Sequence, residues 1–295
     1  MGNGLNLKES RKLVHRFSLP TRPLVMLEAV KAQSAFVPNP VAVTEIILRD
    51  MALSAQILQA ANTLLTGYNR KVESIECAMA LLGQEKLRDI TQELFLSGGL
   101  ARKASWMQTM RTRSVRAARI LSWLARELRP LSPHFRNGNL PVVPPDEAYS
   151  VGLFHDCGQL VLLRQFADYP ELLTADRQAT QQTLAAAEAE RYQTTHALLG
   201  SLLCDAWQLP KPWVYVVAAH HQPDAFAGRP VRERKYAVLH AMLLMTEWIE
   251  GDLLDWEWEP GWAYIQPLFA LDDAQIVSLR ERALERFPLA GAYGE

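Results

Sequence analysis

His155 and Asp156 stand side by side in the run Gly152-Leu-Phe-His155-Asp156-Cys-Gly158, with His196 and the adjacent pair His220-His221 further along the chain. An imidazole nitrogen and a carboxylate oxygen both ligate divalent metals, and histidines returning on later helices can close a shell around such a pair. The same residue types also form buried polar clusters at helix ends, with their hydrogen bonds met internally. Elsewhere the chain offers less: it has no Gly-rich phosphate loop, no G-x-S-x-G and no Cys/His spacing for a nucleophile.

These residues must be positioned by helices. Asn39-Pro40 gives an N-cap followed by proline at the first helical position. Asp50 then caps a second helix with Leu53, Ile57, Leu58, Ala61 and Leu65 on one stripe. Ser74 opens a third that stops at Gly83, and Lys86 to Leu96 continues beyond it. Gly98-Gly99 breaks the pattern and marks a boundary. The longest helix is predicted over 107–128. The stretch 130–145 holds five prolines and is expected to be a surface loop. Helices resume before and after Gly158, over an Ala/Glu-rich stretch ending at Tyr192, behind a Thr195 cap, over 214–221 and over 236–248. Trp256, Trp258 and Trp262 fall in an irregular stretch, and Asp272 with Gln275 opens a last helix as a capping box. No period-two run is convincing, so the fold class is all-α.

The 295 residues are ample for a sizeable core, and 49% apolar with 21% charged is an ordinary globular balance. A net charge of −1 gives no general attraction to nucleic acid or anionic membrane. The three cysteines are widely spaced, which argues against a disulfide framework and fits a reducing cytoplasm. No apolar run reaches the ~20 residues of a membrane span. The arginines between 102 and 129 meet only Glu127 in sequence. They suit either a solvated helix face with acidic neighbours from elsewhere or a basic patch for nucleic acid or nucleotide.

Two blocks together resemble the HDOD domain, a relative of the HD metal-dependent phosphohydrolases found in bacterial signalling proteins. The first is Leu19-Pro20, then Asp50 to Asn62, Gly67-Tyr68, and Val72-Glu-Ser-Ile75 through Gly83. The second is Gly152 to Gly158 with His196 and His220-His221-Gln-Pro223-Asp224. The resemblance implies an HD-like multi-helix bundle over 12–224, its short-helix half (12–100) packed on a degenerate HD-type half (101–224), with a helical extension over 225–295. It also implies departures from the active HD pattern. The first histidine of that pattern aligns with Arg113, its last aspartate near Leu243, a lysine with Gln159, and no Gly-Tyr-Pro signature is present.

A guanidinium cannot ligate a cation and an isobutyl group ligates nothing. The expectation is therefore a degenerate binding pocket of Arg113, His155, Asp156, His196, His220 and His221, with no catalytic residue, no cofactor and no stoichiometric metal. Arg113 falls on the apolar stripe of Ala117, Ile120, Leu121, Leu124 and Leu128, with Arg116 nearer its edge. It is expected to pair with Asp156 where a metal would sit. The functional expectation is a cytoplasmic bacterial signal-transduction module that binds signalling proteins, or a second copy of itself, without catalysis. No membrane contact is expected and nucleic acid is not the favoured partner. The alternative is a metal-dependent phosphohydrolase with an unusual ligand set.

Overall fold

A computed structural model describes residues 7–15, 40–65, 71–97, 104–175, 182–228 and 234–288. Leu19-Pro20, Gly67-Tyr68 and Gly98-Gly99 lie outside these residues. Among the described residues every regular element is a helix.

The N-terminal half comprises α1 (Leu7–His15), α2 (Pro40–Leu48), α3 (Met51–Leu64) and α4 (Ile75–Ser97). Asp50 accepts from the Leu53 amide at 3.0 Å, and Leu53, Ile57, Leu58 and Ala61 are fully buried, so cap and stripe act as the sequence implies. Gly83 stands inside α4 at φ 73°, ψ 171°, a conformation that glycine reaches without a Cβ penalty. It separates two helical segments at the expected break.

Next come α5 (Ala104–Leu131), α6 (Pro133–Arg136), α7 (Pro145–Phe154) and α8 (Cys157–Gln165). The expected surface loop over 130–145 is thus partly helical, and Ser132, Leu140 and Val143 are buried in it. Helix α5 lies along α7, and Gly152 makes this approach possible: a Cβ there would come within 2.7 Å of the Ala118 Cα. Tyr149 on α7 donates to the Leu48 carbonyl at 3.0 Å, tying the two halves together.

The remaining elements are α9 (Tyr169–Leu173), α10 (Leu184–Tyr192), α11 (His196–Ala206), α12 (Lys211–Ala219), α13 (Arg234–Glu250), α14 (Asp255–Phe269) and α15 (Asp273–Arg286). Every residue of α13 from Ala237 to Glu250 is buried, so this helix runs through the core and not along its surface. Helices α14 and α15 continue the same core through the buried Ile265, Phe269, Leu279 and Ala283.

The tail therefore differs from expectation. Trp256, Trp258 and Trp262 all lie on α14, half-buried, and not in an irregular stretch. Trp258 stacks on Trp248 of α13 with ring centroids 4.3 Å apart and planes 8° from parallel. Arg280 covers the Trp248 ring at 4.5 Å. Apolar area on the tail is spent on intramolecular docking.

Candidate functional site

The site begins at the step between α7 and α8. His155 is the C-cap residue just after α7 and Asp156 is the N-cap residue just before α8. Gly158 follows because α8 meets α11 backbone to backbone: a Cβ at Gly158 would lie 2.0 Å from the His196 carbonyl oxygen. That approach brings His196 beside Asp156. Thr195 caps α11 by accepting from the Leu198 amide, which fixes His196 at the first position of the helix. His220 and His221 follow α12 directly.

The imidazoles are oriented from behind. His155 directs Nδ1 to the Gly152 carbonyl at 2.8 Å, and His220 directs Nδ1 to the Val217 carbonyl at 2.6 Å. His196 directs Nδ1 to Glu188 Oε2 at 2.7 Å, and its backbone amide donates to the same oxygen at 2.8 Å. Glu188, fully buried on α10, also accepts from the Tyr169 hydroxyl at 2.5 Å. Each acceptor calls for the proton on Nδ1, so in the neutral ring Nε2 presents a bare lone pair to the pocket.

Those lone pairs converge. His196 Nε2 lies 3.2 Å from His220 Nε2 and 2.7 Å from His221 Nε2. Asp156 Oδ1 is 3.4 Å from His196 Nε2 and 3.6 Å from His220 Nε2, and its Oδ2 is 3.4 Å from His155 Nε2. Glu247 from α13 completes the far wall, 3.6 Å from His220 Nε2 and 3.7 Å from His221 Nδ1. Facing lone pairs at these distances require a proton or a cation between them.

The electrostatics follow. Burial opposes ionisation of Asp156, but the charge of His155 and the contacts of His220 and His196 outweigh it and hold the carboxyl well below its usual range. Burial also opposes protonation of His196, and Glu188, with help from Asp156, reverses the balance and raises its pKa. His220 is lowered by burial and by the neighbouring His196 charge. His221 goes well below the ordinary histidine value through burial and the charges of His220 and His196. Of His196, His220 and His221, His196 holds a proton most tightly.

The donor set fits one divalent ion. The nitrogens of His196, His220 and His221 lie within 4.8 Å of one another, and Asp156 adds an oxygen. Three imidazoles and a carboxylate suit zinc or another late transition metal better than magnesium or calcium. Glu188, behind His196, matches the carboxylate that commonly orients a ligating histidine.

Two expectations need correction. Arg113 does not meet Asp156: its guanidinium pairs with Asp252, in the turn after α13, and is only half-buried. The more deeply buried arginine is Arg116, at 7% exposure, which the helical wheel had placed near the edge of the stripe. Its Nη1 donates to Glu250 Oε1 at 2.6 Å, and its Nε and Nη2 donate to the Phe287 and Pro288 carbonyls. Both arginines are drawn to the acidic end of α13 because Glu250 and Asp252 lie there, whereas Asp156 already has its histidines.

The ligand count also differs. Leu243 is buried and supplies nothing, but Glu247, one turn further along α13, brings a carboxylate to the pocket. Glu247 was detectable as the one carboxylate in the run 237–249, whose other polar residues are His240 and Thr246. Glu188 had no such signal, standing among alanines beside an equally plausible Glu190.

The HDOD domain family model matches residues 19–223, and the chain belongs to that family. Similar solved structures include the MmoQ response regulator from Methylococcus capsulatus strain Bath, 22% identical, with a TM-score of 0.62 over 89% of this chain and 98% of that one. A virulence factor from Campylobacter jejuni subsp. jejuni is 16% identical, with a TM-score of 0.64 over 97% of this chain and all of the other. At these identities the likeness establishes the fold. No curated protein matches the chain. Helix α13 lies beyond the matched residues yet supplies Glu247, so the pocket is completed by the C-terminal extension. Among the described residues no helix is long and apolar enough to cross a membrane.

Proposed function

We propose that the chain is a signal-transduction module that works by binding another protein and not by turnover. Membership of the HDOD family supports a signalling role, as does the likeness to a protein named a response regulator. The observation carrying the non-catalytic reading is the shape of the donor cluster. Its Nε2 atoms stand 2.7 and 3.2 Å apart around a single point. Paired-metal hydrolysis needs two ions about 3.5–4 Å apart, each with its own ligands. The place where the resemblance puts a further ligand holds Arg113, which is tied to Asp252. His196 and His220 are fully buried. Here an ion or a shared proton would brace α8, α11, α12 and α13 against one another.

A second reading, a metal-dependent phosphohydrolase, is favoured by the convergence of oriented lone pairs on one point. A single ion held by His196, His220, His221 and Asp156 would supply a Lewis acid and lower the pKa of a bound water. Chelator-treated protein reloaded with equimolar Zn²⁺ or Mn²⁺ and given bis-p-nitrophenyl phosphate decides between the readings. The binding reading requires no turnover above that of a His196→Ala variant. Metal-dependent turnover that this substitution abolishes would establish the second reading.

A further inference from the structure

A second cavity, away from the histidines, lies on the outer face of α5. About 370 Å³ in volume, it is lined by Arg49 from the turn before α3, by Arg111, Arg116 and Arg119 from α5, and by Arg286 and Phe287 at the end of α15. Val115 and Pro288 complete an apolar wall, and among the described residues no acidic side chain lines the cavity. In a chain with a net charge of −1, five guanidinium groups converging from three segments on one concavity is a marked segregation of charge.

The five arginines are not equivalent. Arg116 is committed to Glu250 and to the Phe287 and Pro288 carbonyls, so it holds the end of α15 in place as a wall. Arg49 faces Glu45 only at 3.9 Å, with both side chains at least half exposed. Among the described residues no carboxylate lies within ion-pair distance of Arg119 or Arg286, both of which are exposed.

We infer that this cavity binds a phosphorylated nucleoside. Arginine presents a planar fork of donors suited to phosphate oxygens, and several in a concave site focus positive potential on a compact polyanion. Its volume falls within the range of small-molecule sites, and the Val115, Phe287 and Pro288 wall gives the nucleoside an apolar surface. Arg49, Arg119 and Arg286 take the phosphates. A compact concavity lined by three chain segments fits such a ligand better than an extended nucleic-acid strand.

The test is calorimetric titration of the full chain with ATP, GTP, pyrophosphate and adenosine. Two double variants accompany it: Arg119→Ala with Arg286→Ala, and Arg126→Ala with Arg129→Ala, the latter from a separate cavity of about 590 Å³ on the same helix. Saturable binding of one triphosphate per chain is expected, with pyrophosphate competing and adenosine alone too weak to measure. Each lost charge-assisted contact weakens binding roughly tenfold or more, so the first double variant falls about a hundredfold. The second keeps wild-type affinity. His196→Ala also keeps it, which separates this site from the histidine pocket. No saturable binding of either triphosphate would overturn the inference. So would equal losses in both double variants, or tighter binding of a single-stranded oligonucleotide at several sites per strand, since either would indicate a diffuse basic face.

Discussion

Replacing Arg116 by methionine keeps most of the apolar stem and removes the guanidinium, which makes it a sharp test of how α5, α13 and the end of α15 are joined. Two losses are separable. The Phe287 and Pro288 carbonyls lose a charged donor now 2.8 to 3.1 Å away, which costs about 2–4 kcal/mol for the two at any pH. The other loss depends on Glu250, whose carboxyl is pushed up to about 7 by burial and by nearby Asp252, against the pull of Arg116. Its ordinary value is 4.5, so the folded protein holds this proton more tightly than the unfolded chain. The stability it contributes is fully present below about pH 4.5 and is lost as pH rises through about 7. Removing Arg116 drives the folded pKa higher still. Below about pH 7 the carboxyl is protonated in both proteins and the variant pays little extra; above it the deficit widens by up to ~1.4 kcal/mol per pH unit. Urea unfolding of wild type and Arg116→Met at about pH 6 and about pH 8.5 would measure both parts. Adding Glu250→Gln should abolish the widening. A total loss under ~1 kcal/mol, or a deficit identical at both pH values, would refute this account.

Gly158→Ala forces a Cβ toward the His196 carbonyl, so the stability measured by urea unfolding should fall by well over the ~1–3 kcal/mol of ordinary overpacking. Added Zn²⁺ should raise the thermal midpoint of wild-type protein but not of His220→Ala, and Glu188→Gln should weaken Zn²⁺ binding about 10–100-fold in calorimetry. Truncation after Glu250 removes Phe269 and Leu279 from the core together with Asp252, so circular dichroism should show general loss of stability and not a folded protein lacking one interface.

Local signals in the sequence translated faithfully where the chain itself closes the interaction. The Asp50 and Thr195 caps, the Asp272–Gln275 capping box and the Gly83 break each act within a few residues, and all appear as read. The histidines and Asp156 also gather as their residue types imply. What could not be read was pairing at long range. Arg113 and Arg116 differ by less than one helical turn, and their fates were set by Asp252 and Glu250, more than 130 residues away. The tryptophan stretch was misread for a related reason. Pro260 and Pro267 argue locally against a helix, whereas stacking of Trp258 on Trp248 and burial of Ile265 and Phe269 favour one tertiarily.

Burial of α13 on every side has a kinetic meaning. A helix with one solvated face can fray or open by itself, but α13 cannot open without exposing fourteen consecutive buried residues and pulling Glu247 from the histidines and Glu250 from Arg116. Its amide protons should therefore exchange with solvent only through global unfolding, with protection equal to the stability of the whole molecule. Tyr264 on α14, whose hydroxyl donates to the Ala237 carbonyl, shares in that unit. Since α13 forms the far wall of the histidine pocket, that wall should open only when the whole molecule unfolds.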